Sequence, residues 1–413
     1  MNVTFLIPTR NGLEYFKIAY NSICKNSGNH DIKIIVLDDN SDKDETWEYI
    51  KEISEIDGRI KSFKNFGNRQ GISGGYKFLS KYVTTEYICH WHNDMYLTAG
   101  TLDGVESTFK RFKNCVISLT RIEPNIGYKP GLEKIIWENG PLTFGEWDEE
   151  LFLEKLKEFK STWNNVYTAG HFAPFFMKTS DYNNIGGVDD IIFPLQSRED
   201  SDFAFRLKLY GLQTIQIPEF VFHFASRGNR RNEYETNVML DNPNWIRHNY
   251  HATRNFIRKW HTMAMHDEVL NPFTPVRFIT KYTFYNCYDI RDITMLEPYA
   301  DYIQFYDLPN ESVQISSYIS EHQSHTIFNL KKKFRHCDFC NLDIVIDLDR
   351  YTNDMLEFID SIQWYIHEVC TKFAGESYEE EFYSGIIKLK VNSMDSIERY
   401  MIDANNTEWL LDI

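Results

Sequence analysis

The sequence predicts an α/β fold, a nucleotide-binding mixed sheet flanked by helices, followed by a smaller α+β domain. Three observations carry this. Short β-branched runs alternate with amphipathic helical stretches through the N-terminal half, as in sheets built with crossover helices. Acid-rich polar turns stand directly after two of those runs, where an open α/β sheet places its ligand crevice. The length of 413 residues, at roughly 150 residues per domain, suits two domains.

Residues 3–8 read as the first strand. After the turn Thr9-Arg10-Asn11-Gly12, the residues Leu13, Phe16, Tyr20 and Ile23 recur at helical spacing and form one buried stripe. Residues 32–37 read as the second strand, which runs into Asp38-Asp39-Asn40-Ser41. A helix is expected over 46–53, a strand near 60–63 and a Gly-rich turn and helix over 71–82. A further strand over 87–91 stops at His92-Asn93-Asp94. Residues 146–160 (EWDEELFLEKLKEFK) predict a solvated amphipathic helix with charge pairs four residues apart.

Past Trp260, the stretch from Asn271-Pro272 to Pro275 reads as a connector. The pattern then restarts with a strand over 343–348 and a helix carrying Met355, Phe358, Ile359, Ile362, Ile366 and Val369. A strand over 386–391 and a helix carrying Ile397 and Met401 follow. The expected division is residues 1–262 and 263–413.

Sixty Asp and Glu against 44 Lys and Arg leave a formal charge of -16. That charge repels a phosphate backbone and argues against nucleic acid as a partner. The chain enters a strand-like run at Val3 without a basic, then apolar, leader, and no stretch reaches the roughly 18 apolar residues of a membrane span. A cytoplasmic protein with no transmembrane segment is therefore expected, and its seven cysteines are expected to be free thiols. His336-Cys337-Asp338-Phe339-Cys340 has the spacing of half a zinc ribbon, but no second pair follows, so no structural zinc is expected.

Six segments carry the chemistry. They are VTFLIPTRNG, IIVLDDNSDKDET, RQGISGGYK, HNDMYLTAGTLDG, GGVDDIIFPLQSREDSDFAFRLKLYG (residues 186–211) and NFIRKW (residues 255–260). In this order the stretch from residue 1 to about 260 resembles the inverting family-two glycosyltransferases of the GT-A fold. The resemblance implies a Rossmann-like nucleotide-binding sheet. It also implies an enzyme that moves a sugar from a nucleoside-diphosphate-sugar to a glycan, glycolipid or protein acceptor.

Such a transfer requires the leaving diphosphate to be neutralised, which a divalent cation does as a Lewis acid. The resemblance makes Asp94 the first ligand, puts His92 where the first Asp of the motif commonly stands, and makes His223, after an alternating run over 214–222, a third contact. Mn²⁺ or Mg²⁺ fits, and imidazole ligation favours Mn²⁺. Pro8, Thr9, Asn11 and Asp39 are expected to line the nucleotide pocket, the Asp39 carboxylate accepting from a ring N–H. Arg69 and Gly71 in the Gly-rich segment, with Asn93, complete the expected donor site.

The acceptor hydroxyl must lose its proton as it attacks, which needs one placed carboxylate. By resemblance Asp200 is that base, Glu199 orients it or the acceptor, and Asp202 and Arg206 pair on the helix. Gly186-Gly187 would admit the acceptor to the backbone, and Trp163, Tyr167, Phe172 and Phe175 could stack on sugar faces; His171 receives no role. The plainer readings are a helix cap for Asp38 to Ser41, a helix N-terminus for Glu199 to Asp202 and a structural histidine at His223. Two other functions stand beside transfer: a nucleotide-sugar-forming nucleotidyltransferase, for which the turn at residues 9–12 is too short a phosphate loop, and a non-catalytic carbohydrate-binding or scaffold protein. An oligomer is compatible with each.

Overall fold

The structure is a computed structural model that describes residues 1–127, 131–163, 167–225, 241–274, 278–372 and 378–392, with the side chains of residues 363 and 367–372 outside the description. Pro275, Ile397, Met401 and the side chains of Val369 and Cys370 therefore lie outside the described residues. The chain forms two compact units, residues 1–249 with 266–272, and residues 250–265 with 273–413.

The first unit is built on a nine-stranded sheet. Its strands are β1 (Asn2–Thr9), β2 (Asp31–Asp38), β3 (Ile60–Lys64), β4 (Tyr87–His90), β5 (Met95–Leu97), β6 (Cys115–Pro124), β7 (Lys134–Trp137), β8 (Phe175–Lys178) and β9 (Gln213–His223). They lie in the order β3-β2-β1-β4-β8-β6-β9-β5, with β7 beside β6. The expected mixed sheet is thus present: β3, β2, β1 and β4 run parallel, while β8 is antiparallel to β4 and β6, and β5 to β9.

Helices cover both faces. On one, α1 (Leu13–Asn26) and α2 (Thr46–Ile56) bring Phe16, Ala19, Ile23, Ile50 and Ile53 onto Val3, Phe5, Ile34 and Val36. On the other, α3 (Gly71–Ser80) contributes Tyr76 and Leu79 against Leu6, Ile35 and Leu37. Each fully buried aliphatic or aromatic side chain of this kind contributes about 1.5–3 kcal/mol, so the two-sided apolar strands decide the layering.

Farther along come α4 (Thr101–Arg111), α5 (Glu149–Thr162), α6 (Thr179–Ile185) and α7 (Glu199–Leu209). α5 starts three residues later than the charge pattern suggests because the Asp148 side chain caps it, accepting from the Leu151 N–H at 3.0 Å.

The second unit has a five-stranded sheet of β10 (Thr280–Tyr285), β11 (Tyr302–Phe305), β12 (Leu342–Asp347), β13 (Tyr378–Phe382) and β14 (Ile387–Val391), in the order β11-β10-β12-β14-β13. β10 is parallel to both neighbours and β14 is antiparallel to both of its own. Inside this unit Glu297 is buried among Arg254, Arg258 and Lys333. No helix among the described residues is long and apolar enough to cross a membrane.

Candidate active site and cation site

Two short elements build the acidic end of β4 into a ligand cluster. After β4 the chain turns through His92-Asn93-Asp94 into β5, and β5 pairs antiparallel with β9 so that Met95 faces His223. That register sets Asp94 Oδ1 3.4 Å from His223 Nε2, and His92 Nδ1 3.5 Å from the same nitrogen. One ligating atom from each of His92, Asp94 and His223 lies within 4.8 Å of the others, the one such trio found among the described residues.

A residue that the sequence reading missed orients this trio. Glu123, near the end of β6, has a carboxylate oxygen 2.8 Å from His223 Nδ1. Arg121 and Lys134 stand 3.3 and 3.2 Å from the same carboxylate. Burial opposes ionisation of Glu123, yet Arg121, His223 and Lys134 hold it well below the usual carboxylate range. Burial also opposes the charge on His223, but Asp94 and Glu123 outweigh it and push its pKa up to about 9. Burial, with His223 as neighbour, drops His92 to about 4.

One carboxylate and two imidazoles with converging atoms fit a divalent cation. Engagement of His223 Nδ1 by Glu123 leaves its Nε2 for ligation, a common outer arrangement around metal-binding histidines.

His92 also lines a cavity of about 520 Å³ in the first unit, whose wall includes His90, His171, Phe172, Glu199 and Asp200. The Glu-Asp pair reaches it because α7 begins at Glu199 after Leu195, Ser197 and Arg198, all in the left-handed backbone region. Bulky residues enter that region at a cost, and such strain gathers at functional sites.

Asp200 is exposed and accepts from the Ser201 N–H at 2.6 Å. Glu199 is different. Its Oε2 is buried without a hydrogen-bond partner, and burial together with the neighbouring Asp200 carboxylate raises its pKa to about 8. Behind them Arg206 donates from Nε to Asp202 at 2.8 Å, and from Nη1 to the carbonyls of Ile185 and Gly187 at 3.0 and 2.7 Å.

These contacts give Gly186-Gly187 a structural role. Gly186 ends α6 at φ +88, and a Cβ on Gly187 (φ +66) would lie 2.7 Å from the Tyr182 ring. Of the four expected sugar-stacking aromatics, Phe172 and Phe175 line the cavity. Trp163 and Tyr167 do not, and Trp163 packs against Phe220.

The seven residues expected at the donor sit around the ends of β1 and β2, and none is on the cavity wall. Asp39 accepts from the Gln70 N–H at 2.9 Å, the Gly71 N–H at 2.8 Å and Asn65 Nδ2 at 2.7 Å, so its carboxylate holds the Gly-rich turn. Asp38 accepts from Ser41, the turn-capping role weighed for one of the pair.

Gly71 is obligatory there: at φ +62 its Cβ would lie 2.3 Å from the Leu195 backbone. Arg69, next to it, is half-buried, and burial and nearby Arg10 lower its pKa. Asn11 Oδ1 accepts from the Asp42 and Lys43 N–H groups at 2.8 and 3.1 Å. Pro8 and Thr9 close β1, and Asn93 Nδ2 donates to Thr9 Oγ1 at 2.7 Å. That bond ties the crevice to the segment carrying His92 and Asp94.

Several solved structures are distantly similar. GalNAc-T7 with UDP, GalNAc and Mn²⁺ is 15% identical over 62% of this chain and 48% of its own, with a TM-score of 0.42. S. aureus TarS 1-349 in complex with UDP-GlcNAc is 15% identical over 62% of this chain and 66% of its own, at 0.41. The mannosyltransferase PcManGT from Pyrobaculum calidifontis, in complex with GDP-Man and Mn²⁺, is 16% identical over 55% and 58%, at 0.39.

The chain thus spans about half the length of the first of these. No curated protein matches the chain. Residues 4–181, which carry β1 to β8 with the crevice, His92 and Asp94, match the family described as Glycosyl transferase family 2, and this segment is a family-two glycosyltransferase domain.

Proposed function

We propose that the protein is a metal-dependent inverting glycosyltransferase. It moves a sugar from a nucleoside-diphosphate-sugar to a hydroxyl of a glycan, glycolipid or protein. The observation that supports this most is that His92 of the ligand trio and the Glu199-Asp200 pair line one cavity inside the same unit.

Asp94, His92 and His223 would hold Mn²⁺ or Mg²⁺, which when bound stabilises negative charge on the departing diphosphate. Glu123 fixes the His223 ring, so that Nε2 points to the same place as Asp94 Oδ1. The nucleotide lies along the ends of β1 and β2, walled by Pro8, Thr9 and Asn11. Asp39 keeps the Arg69–Gly71 turn in shape, Arg69 adds positive charge beside the phosphates, and Asn93 bridges to Thr9.

Asp200 accepts the acceptor hydroxyl's proton as that oxygen bonds to the anomeric carbon and the bond to the diphosphate breaks on the opposite face. Glu199, protonated below about pH 8, can donate a hydrogen bond to a substrate oxygen. The six cysteines of the described side chains are free thiols, which suits a reducing compartment such as the cytoplasm.

The test is Asp200→Asn. Transfer is expected to fall by about 10²–10⁴, the usual contribution of a general base, with nucleotide affinity in Mn²⁺ unchanged. Wild-type turnover by this variant would remove Asp200 from the mechanism.

A further inference from the structure

The wall of the cavity carries buried polar atoms without a hydrogen-bond partner. His90 and His171 are only 3% and 8% exposed. His90 Nε2, His171 Nδ1 and Glu199 Oε2 are buried without a hydrogen-bond partner, and all three residues line the same cavity. An unsatisfied buried polar atom costs about 1–3 kcal/mol, and folded proteins keep few of them. Three on one wall, none used by the ligand trio or by the proposed base, describe a surface completed by a ligand.

The rings are held in fixed orientations. His90 stacks on Tyr76 at 3.8 Å between centroids and 9° between planes. His171 is wedged against Phe175 at 4.2 Å and Phe203 at 5.3 Å. Their nitrogens are therefore pre-oriented, which reduces the ordering cost of binding.

We propose that His90, His171 and Glu199 form a subsite for an electrically neutral, hydroxyl-bearing sugar ring, with His171 as its specificity-determining residue. The reaction this subsite serves rests on the glycosyltransferase reading above, whereas the chemical class of its ligand does not.

That class follows from what the wall offers. Burial drops the His171 pKa to about 3, so its imidazole is neutral and offers one donor and one acceptor. Glu199 is a carboxylic acid at neutral pH and offers the same pair. Hydroxyl groups, which donate and accept at one atom, match both. A carboxylate or phosphate, which only accepts, uses the donors and leaves both acceptors unpaired, and it would bring its charge towards Asp200. Of the arginines on this wall, Arg121 is engaged by Glu123 and Glu133 at 3.3 and 3.5 Å, and Arg198 adjoins the Glu199-Asp200 pair. Phe172 adds an apolar face suited to sugar C–H groups.

The ring could belong to the donor or to the acceptor, and one experiment on the intact chain separates them. Binding is measured by saturation-transfer NMR and calorimetry for methyl glucoside and methyl N-acetylglucosaminide against methyl glucuronide and glucose 6-phosphate, without nucleotide. In Mn²⁺ the same is done for UDP, UDP-glucose, UDP-N-acetylglucosamine, GDP and GDP-mannose against UDP-glucuronate. The neutral probes of at least one set are expected to bind, and His171→Leu is expected to weaken them at least tenfold. His171→Asn, which restores a polar atom near the Nδ1 position, should recover most of the loss, and affinity for bare UDP or GDP should stay unchanged in both variants.

A loss confined to the sugar nucleotides identifies the donor's ring; a loss confined to the methyl glycosides identifies the acceptor's. Thermal melting of His171→Leu at or above wild type shows that the fold is intact; if that variant fails to fold, Glu199→Met, which removes both the donor and the acceptor at similar volume, takes its place with the same probes and the same expected loss. Anionic probes binding as well as neutral ones, wild-type affinity in His171→Leu, or no binding by any sugar probe overturns the subsite. Failure of every nucleotide to bind, with methyl glycosides still bound through His171, would instead sink the transferase reading alone.

Discussion

Glu123 lies 2.8 Å from the Nδ1 of His223, one hundred residues along the chain, and this contact turns the opposite nitrogen towards Asp94. The imidazole is thereby oriented before any cation arrives. Glu123→Gln should weaken Mn²⁺ affinity by about 10–100-fold, the usual effect of losing an outer-sphere carboxylate, with little change in melting temperature. Isothermal titration with Mn²⁺ checks this, and unchanged affinity would detach Glu123 from the cation site.

Asp39 serves the turn that opens α3. Asp39→Ala leaves the Gln70 and Gly71 N–H groups without their acceptor. A loss of about 1–3 kcal/mol in stability is expected, with at least tenfold weaker nucleotide binding. Urea unfolding with and without UDP or GDP measures both; full nucleotide affinity in the variant would separate the turn from the donor site.

Glu199 makes stability depend on pH in a defined direction. Its pKa rises from 4.5 to about 8 on folding, so the native state binds the extra proton between those values. The contribution of the neutral acid is complete below about pH 4.5 and is lost as pH rises through about 8. Melting temperatures of wild type and Glu199→Gln at pH 5 and pH 8.5 should therefore diverge, wild type falling relative to the variant at the higher pH. Parallel behaviour at both would mean that Glu199 ionises normally.

Asp202 and Arg206 form a buried pair one helical turn apart. Arg206→Met removes the ion pair of Asp202 and the donor to two carbonyls, and should cost about 3–5 kcal/mol. The double variant Asp202→Leu with Arg206→Met should recover much of that. A single-variant loss under about 1 kcal/mol in urea unfolding would show that the pair carries little stability, the usual result for exposed pairs.

Legibility in the sequence divided along physical lines. β1, β2 and β4 were readable because each is an apolar run that stops abruptly at polar residues, and α1 because its buried stripe is periodic over three turns. β5, three residues long, has no period to detect, yet it sets the register that joins Asp94 to His223. Only the family resemblance groups those two in the sequence. β6 is buried along nearly its whole length, and nothing local in the sequence marks Glu123 as the partner of His223 on β9.

The hold of Asp39 on the Gly-rich turn is not legible in the sequence because its partners Asn65, Gln70 and Gly71 are 26 to 32 residues farther on. Nothing local marked His171, whose importance comes from a buried, unsatisfied nitrogen that only tertiary packing creates.

The most direct measurement compares nucleotide binding by wild type and Asp94→Ala, titrating UDP and GDP in Mn²⁺ and in EDTA. Wild type is expected to bind at least one of them with a strong requirement for Mn²⁺, and Asp94→Ala to lose that requirement together with most of the affinity. Equal Mn²⁺-dependent binding by the two proteins, or no nucleotide binding by wild type, would contradict a cation at Asp94, His92 and His223.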